Sequence, residues 1–170
     1  LGIIPARYAS ARFPGKLLAL LDGQSVLQRV YERARTAAQL SRLVIATDDE
    51  RIFEHVRSFG AEVMMTSPAH RSGTDRCAEV AEKRAEYDCI VNIQGDEPFI
   101  DPGQIDQLVL LLQEDEAPIA TLAKRIYEEI SLLDPNVVKV VMTRDGRAMY
   151  FSRSTIPHLR GLDPGTWLEA

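Results

Sequence analysis

Several things are scarce in this chain of 170 residues, and each scarcity excludes a class of protein. There are two cysteines, Cys77 and Cys89, too few to staple a chain of this length. A disulfide framework is therefore excluded, and a reducing compartment, the cytoplasm, fits. No run of about 18 apolar residues occurs, so no segment is expected to span a membrane. Nor is there a surplus of basic charge: 20 Lys and Arg stand against 25 Asp and Glu, a net −5. A coat for nucleic acid needs a basic surface, so nucleic acid is not an expected partner. The sequence has no internal repeat and no low-complexity linker. No Cys/His spacing suits zinc, and Leu1–Pro5, which shows no charged n-region and cleavage site, is not expected to be a signal peptide.

What is present has globular proportions, 45% hydrophobic and 26% charged. One domain over residues 1–170 is expected. Leu1-Gly2-Ile3-Ile4-Pro5-Ala6 reads as a buried strand and residues 7–17 as a loop. Ser25-Val26-Leu27-Gln28 is a capping-box pattern that opens a helix to about Gln39, with Leu27, Val30, Tyr31 and Ala34 on one stripe. Leu43–Thr47 reads as a second buried strand. A helix follows, capped by Asp48 or Asp49 and ended by Gly60. A third strand is expected over residues 62–65, a helix within 72–85, a fourth strand over 89–94 and a helix from Pro102 to about Glu114. Residues 119–124 read as a fifth strand, and 137–142 with 148–151 as a hairpin. Alternation of apolar strand and amphipathic helix predicts an α/β fold, three-layer α/β/α around a mostly parallel, Rossmann-like sheet, with an antiparallel hairpin insertion. Ligands in such sheets bind beyond the carboxyl ends of the strands.

Two loops at those ends carry chemistry. Arg7, Arg12 and Lys16 give the first loop three cations and no acid, which leaves eight net negative charges on the rest of the chain. Guanidinium forks and an ammonium match phosphate oxygens, and Gly15 lets backbone approach closely. A polyphosphate site and a solvated basic loop both fit these charges. The loop is not a P-loop, because Ser10 stands where the first glycine should be and Leu17 where Ser or Thr should be. No G-x-G-x-x-G occurs either. In the second loop, Gln94-Gly95-Asp96-Glu97-Pro98 sets carboxylates just past a buried strand. Mg²⁺ is commonly held by one or two carboxylates plus substrate phosphates, so Asp96 is a candidate metal ligand. A turn aspartate capping the next helix is the plain alternative.

The run Ile4-Pro5-Ala6-Arg7-Tyr8-x-Ser10-x-Arg12-x-Pro14-Gly15-Lys16 resembles the signature loop of sugar nucleotidyltransferases. In its Pro-Ala-Arg-Tyr form it is similar to the 3-deoxy-manno-octulosonate (Kdo) cytidylyltransferases, the CMP-Kdo synthetase family. Leu17 departs from the pattern, which often has a second proline there. Four further stretches match: Val91 to Pro98, His70 to Arg76, Asp134 to Val141, and Tyr150 to Pro157. The resemblance implies the nucleotide-diphospho-sugar transferase type of sheet and a chain lacking the C-terminal third of the family's length. A second metal carboxylate would lie in that missing portion.

It also implies CTP and Kdo as substrates, Mg²⁺ as cofactor and a homodimer, in the service of lipopolysaccharide synthesis. The sugar C2 hydroxyl would attack the α-phosphate with assistance from Mg²⁺. Catalytic roles fall on Arg7, Arg12, Lys16 and Asp96, with Asp96 the metal ligand. The nucleotide is expected on Ala6, Arg7, Ser10, Arg12, Lys16, Ser72, Gly73, Thr74, Arg76 and Gly95, and the sugar on Gln94, Ser152 and Arg153. From chemistry alone the Ser72 stretch is a helix cap, and Arg153 is equally well a surface arginine. A cytidylyltransferase for sialic acid or another acid sugar, and a non-catalytic nucleotide-binding fragment, are the competing expectations.

Overall fold

In the computed structural model, which describes residues 1–9, 13–114, 118–163 and 166–168, the apolar runs of the first half form parallel strands. In chain order, β1 (Gly2–Ala6) is followed by a short 3-10 helix (Lys16–Leu18), β2 (Leu20–Leu21), β3 (Gln24–Ser25), α1 (Val26–Ala34), β4 (Leu43–Thr47) and α2 (Glu50–Ser58). Then come β5 (Val63–Met65), α3 (Gly73–Lys83), β6 (Val91–Asn92) and α4 (Pro102–Glu114). All of these belong to one unit, Leu1–Thr121. A second unit, Leu122–Ala170, carries α5 (Glu129–Leu133) and the hairpin of β7 (Lys139–Met142) and β8 (Ala148–Ser152).

The main sheet has the order β5-β4-β1-β6, with every pair parallel. Both of its faces are covered, which is why β4 is buried at all five positions and reads as an unbroken apolar run. Alternate residues serve opposite layers. Ile4, Ala6 and Ile45 pack with Leu27, Val30 and Ala34 of α1, Ile52 and Val56 of α2, and Ile105 and Val109 of α4. Ile3, Val44 and Ala46 pack with Cys77 and Val80 of α3. Each fully buried Ile or Val here contributes roughly 1.5–3 kcal/mol. The expected α/β/α layering is what this first unit shows. Burial pushes the Cys77 thiol up to about 11, so Cys77 is inert packing.

Local signals placed most boundaries. Ser25 Oγ accepts the Gln28 N–H at 3.0 Å, and Asp49 rather than Asp48 caps α2. Gly60 ends that helix at φ 76°. Ser72 and Asp75 form a reciprocal capping box at the start of α3. Helix α1 stops at Ala34, short of Gln39, because Ala38 and Gln39 give their N–H groups to the Asp106 carboxylate of α4, at 3.1 and 2.7 Å. The β2–β3 hairpin turns on Asp22-Gly23, both at positive φ, the Asp-Gly signal of a type I′ turn. The fifth strand expected over 119–124 is not there. An apolar run becomes a strand only if a neighbour takes its backbone groups. Among the described residues none pairs with this run, and Ile119 is 84% exposed.

In the second unit β7 and β8 pair antiparallel, Lys139 opposite Ser152, with an irregularity between Val141 and Met142. Lys139 is buried, and its ammonium donates to the carbonyls of Asp134, Val137 and Arg153. Those bonds tie the hairpin to the segments on either side of it.

Candidate active site

The sheet splits at the carboxyl end of β1. Its pairing with β4 runs to Ala6 opposite Thr47, whereas its pairing with β6 stops at Ile3 opposite Asn92. One more bond follows, from Ile93 N–H to the Ile3 carbonyl at 2.9 Å. Pro5 lies beyond that point, where β6 asks for no N–H, so its missing donor costs nothing. The chain leaves β1 toward β4 on one side and returns as β6 on the other. This is the topological switch point at which open α/β sheets bind ligands. A cleft of about 240 Å³ opens there, with Pro5 and Leu17 as an apolar floor. Arg7 and Lys16 reach it from the loop after β1, Gln94, Gly95 and Asp96 from the loop after β6, and Gly73 from the start of α3.

Each loop is fixed by short-range chemistry. Gly15 N–H donates to the Tyr8 carbonyl at 2.9 Å, and Gly15 takes φ 73° as it turns the chain into the 3-10 helix that carries Lys16. Lys16 Nζ donates to Asp96 Oδ2 across the cleft. Both side chains keep about two-fifths of their surface in solvent, 37% and 43%. An ion pair this exposed is worth about 0–1 kcal/mol, so a stronger anion or cation can separate it. Gly95 lets the loop after β6 lie close against β1, since a Cβ there would lie 3.2 Å from the Pro5 carbonyl oxygen and 3.3 Å from Ile4 Cγ2. Gly95→Ala is expected to lower stability by about 1–3 kcal/mol, checked by denaturant unfolding, because backbone rather than a flexible side chain has to give.

A third loop, residues 66–72, is tied to both its neighbours. Arg7 Nη1 donates to the Arg71 carbonyl at 2.9 Å. From the other side Glu79 accepts Ser67 N–H at 2.8 Å, His70 Nε2 at 2.5 Å and Lys83 Nζ at 2.5 Å. Lys83, the Ser67 N–H and His70 together hold the Glu79 carboxyl at about 2, far below its ordinary 4.5. A depressed carboxylate stabilises the fold above its unfolded pKa, and that contribution disappears as pH falls through the folded value. Stability is therefore expected to drop between pH 4.5 and 2, and less steeply in Glu79→Gln, as read by thermal melts across that range.

Ala6 is buried in the helix-facing core. Ser72 and Thr74 are exposed at the start of α3, with Ser72 engaged in capping. The Arg76 side chain has no exposed surface. Its Nη1 donates to Thr66 Oγ1 and its Nη2 lies 3.0 Å from Asp48 Oδ2, while Nε has no hydrogen-bonding partner among the described residues. Ser10 and Arg12 lie outside the described residues. Ser152 and Arg153 belong to the second unit, where Arg153 Nη1 donates to the Pro135 carbonyl at 3.0 Å. Pro5, Ala9 and Leu17 line the cleft without having been singled out as site residues. Their signal was position alone, since all three flank the cations of the loop after β1.

No cluster of three or more His, Cys, Asp or Glu able to hold a metal occurs among the described residues. Among the described residues, Asp96 is the one carboxylate that lines the cleft, with 43% of its side chain exposed. That donor set fits Mg²⁺, which keeps several waters and takes most of its protein-side charge from one or two carboxylates plus phosphates. No helix among the described residues is long and apolar enough to cross a membrane.

Comparison with known proteins bears directly on this cleft. A cytidylyltransferase family model matches residues 1–163. The 3-deoxy-manno-octulosonate cytidylyltransferase of Parabacteroides distasonis is 51% identical over all of this chain and 69% of its own length. That of Geobacter metallireducens is 54% identical over 93% of this chain and 62% of its own. Among solved structures, a CMP:2-keto-3-deoxy-manno-octonic acid synthetase complexed with CTP superposes with a TM-score of 0.90 at 43% identity, covering 95% of this chain and 66% of that one. The chain thus spans about two thirds of the length of these relatives. With the family model matched over nearly all of the chain and relatives at this level of identity, the chain belongs to the 3-deoxy-manno-octulosonate cytidylyltransferase family.

Proposed function

We propose that the cleft between β1 and β6 binds CTP, and that the enzyme to which this chain belongs transfers the cytidylyl group to Kdo, giving CMP-Kdo and diphosphate for lipopolysaccharide synthesis. The observation that carries the proposal is the Lys16–Asp96 pair, which sets a phosphate-type cation against a metal-type carboxylate across one cleft. The attacking C2 hydroxyl oxygen forms a bond to the α-phosphorus. The bond between the α-phosphorus and the bridging oxygen breaks, diphosphate leaves with the electron pair, and the hydroxyl proton passes to solvent. Such a displacement needs position and charge neutralisation more than a covalent nucleophile. Arg7 and Lys16, with Arg12, supply cations for the triphosphate and the departing diphosphate. Gln94, Ser152 and Arg153 are the side chains for the acid sugar. Around the base, Ser72, Gly73 and Thr74 offer hydroxyl and backbone groups, and Arg76 braces the start of the loop before them through Thr66.

Asp96 is the residue to hold Mg²⁺, which when bound together with the phosphates supplies further charge neutralisation. Both units are proposed to make one nucleotidyltransferase domain, working in the cytoplasm as part of a homodimer.

Lys16→Ala tests the phosphate reading. Its loss removes a cation and leaves Asp96 facing the triphosphate, so the CTP dissociation constant is expected to rise about ten- to a hundredfold by calorimetry. Unchanged CTP affinity would overturn it. Diphosphate release with CTP and a panel of acid sugars checks the acceptor. Release with sialic acid in preference to Kdo would reassign the substrate.

A further inference from the structure

Tyr8 sits in the loop after β1 but does not line the cleft, and it is held both from outside that loop, by Arg51, and from within it, by Gly15. The Arg51 guanidinium lies over its ring, 3.3 Å from the centroid. The Gly15 Cα packs against the same ring so closely that a Cβ there would stand 3.1 Å from Cε2 and Cζ. The Tyr8 carbonyl accepts the Gly15 N–H, so this one residue both closes the base of the loop and supports its last turn before Lys16.

Arg51 is itself held from the sheet. Its Nε and Nη2 make a bidentate pair with Asp49, at 2.9 and 2.6 Å. Asp49 caps α2 through the Arg51 N–H, and its own N–H donates to Thr47 Oγ1 at the end of β4. A continuous chain of contacts therefore runs from the end of β4 through Asp49 and Arg51 to Tyr8, and on to Gly15 and Lys16. The electrostatics agree with this use of Arg51. A fourth cation close to a loop already carrying three would repel it, but the Asp49 carboxylate neutralises Arg51 while leaving the flat face of its guanidinium free to stack.

We infer that Arg51 is a positioning residue, which latches the phosphate loop through Tyr8 and so sets Lys16 for the triphosphate. The inference rests on the cleft being a CTP site for its second readout only. Lysine offers neither the fork for Asp49 nor a planar face for Tyr8, so Arg51→Lys should behave like Arg51→Ala, whereas a role by charge alone would be preserved by lysine.

The test has two arms, both on the whole chain. In hydrogen–deuterium exchange without ligand, Arg51→Ala and Arg51→Lys should speed exchange across residues 8–16 by about two- to fivefold, the scale of an exposed cation–π contact, with exchange in β4 and α3 unchanged. Unchanged exchange across 8–16 overturns the latch whether or not the chain binds CTP. In calorimetry, Arg51→Ala should raise the CTP dissociation constant by a similar factor, and should add nothing in a Tyr8→Leu background. A full additional loss in that background would mean that Arg51 touches the phosphates itself, and would overturn the positioning role. If the chain binds no CTP at all, the CTP reading of the cleft fails and the exchange arm still decides the latch.

Discussion

Asp96→Ala is expected to cut formation of CMP-Kdo by about 10²–10³-fold, the scale seen when one preorganised electrostatic group is removed from a hydrolase site. The substitution should leave the fold in place. Asp96 keeps 43% of its side chain exposed and its partner among the described residues is Lys16, itself 37% exposed, so the loss in stability should stay within about 1 kcal/mol. The measurement is a diphosphate-release assay with CTP, Kdo and Mg²⁺ alongside a thermal melt. A near-normal rate in a folded variant would sink the assignment.

The same variant separates the two jobs given to that carboxylate. Without ligand, Asp96 occupies Lys16. In the absence of any divalent cation, a triphosphate has to displace Asp96 from Lys16 and tolerate its negative charge nearby. Removing the carboxylate removes both costs. Metal-free CTP should therefore bind Asp96→Ala as tightly as the parent or more tightly, whereas the gain in affinity on adding Mg²⁺ should be lost. A carboxylate that only orients Lys16 would show the reverse: weaker CTP binding without metal and a normal response to Mg²⁺.

How far the sequence announced this site depends on the range of the interactions involved. Strand β4 and helix α4 come out with the boundaries read from their residues, because an unbroken apolar run and a Pro at a first turn are local signals. The two cleft loops were legible for the same reason, as charge and glycine clustered just past apolar strands. What was not legible is long-range. Helix α1 ends early because Asp106, far along the chain, collects the N–H groups of Ala38 and Gln39. The apolar stretch at 119–124 looks like a strand but has no neighbour to pair with among the described residues. The role of Arg51 was invisible, since nothing near it in sequence points to Tyr8. Arg76 shows the limit most clearly. Within His70–Arg76 it reads as a donor for the base, and only the fold reveals that the side chain is enclosed.

That enclosure makes Arg76 the site of a large expected effect on stability. The guanidinium lies in the first turn of α3, where the positive end of the helix dipole disfavours a cation. It is retained there by Asp48 at 3.0 Å and by Thr66. Arg76→Ala removes the cation, opens a cavity and leaves Asp48 without its counter-charge, a combination expected to cost about 3–5 kcal/mol. For a chain of this size 3 kcal/mol corresponds to roughly 6–12 °C in Tm. Arg76→Met fills most of the volume and should lose less. Adding Asp48→Asn to it should recover part of what remains, because an apolar side chain beside a neutral amide no longer strands a charge. A residue that held the cytosine instead would behave differently. Alanine would then weaken CTP binding with Tm unmoved, and Asp48→Asn would recover nothing. Paired thermal melts and CTP titrations on these three variants therefore distinguish an arginine that braces Thr66 and Asp48 inside the fold from one that touches the nucleotide.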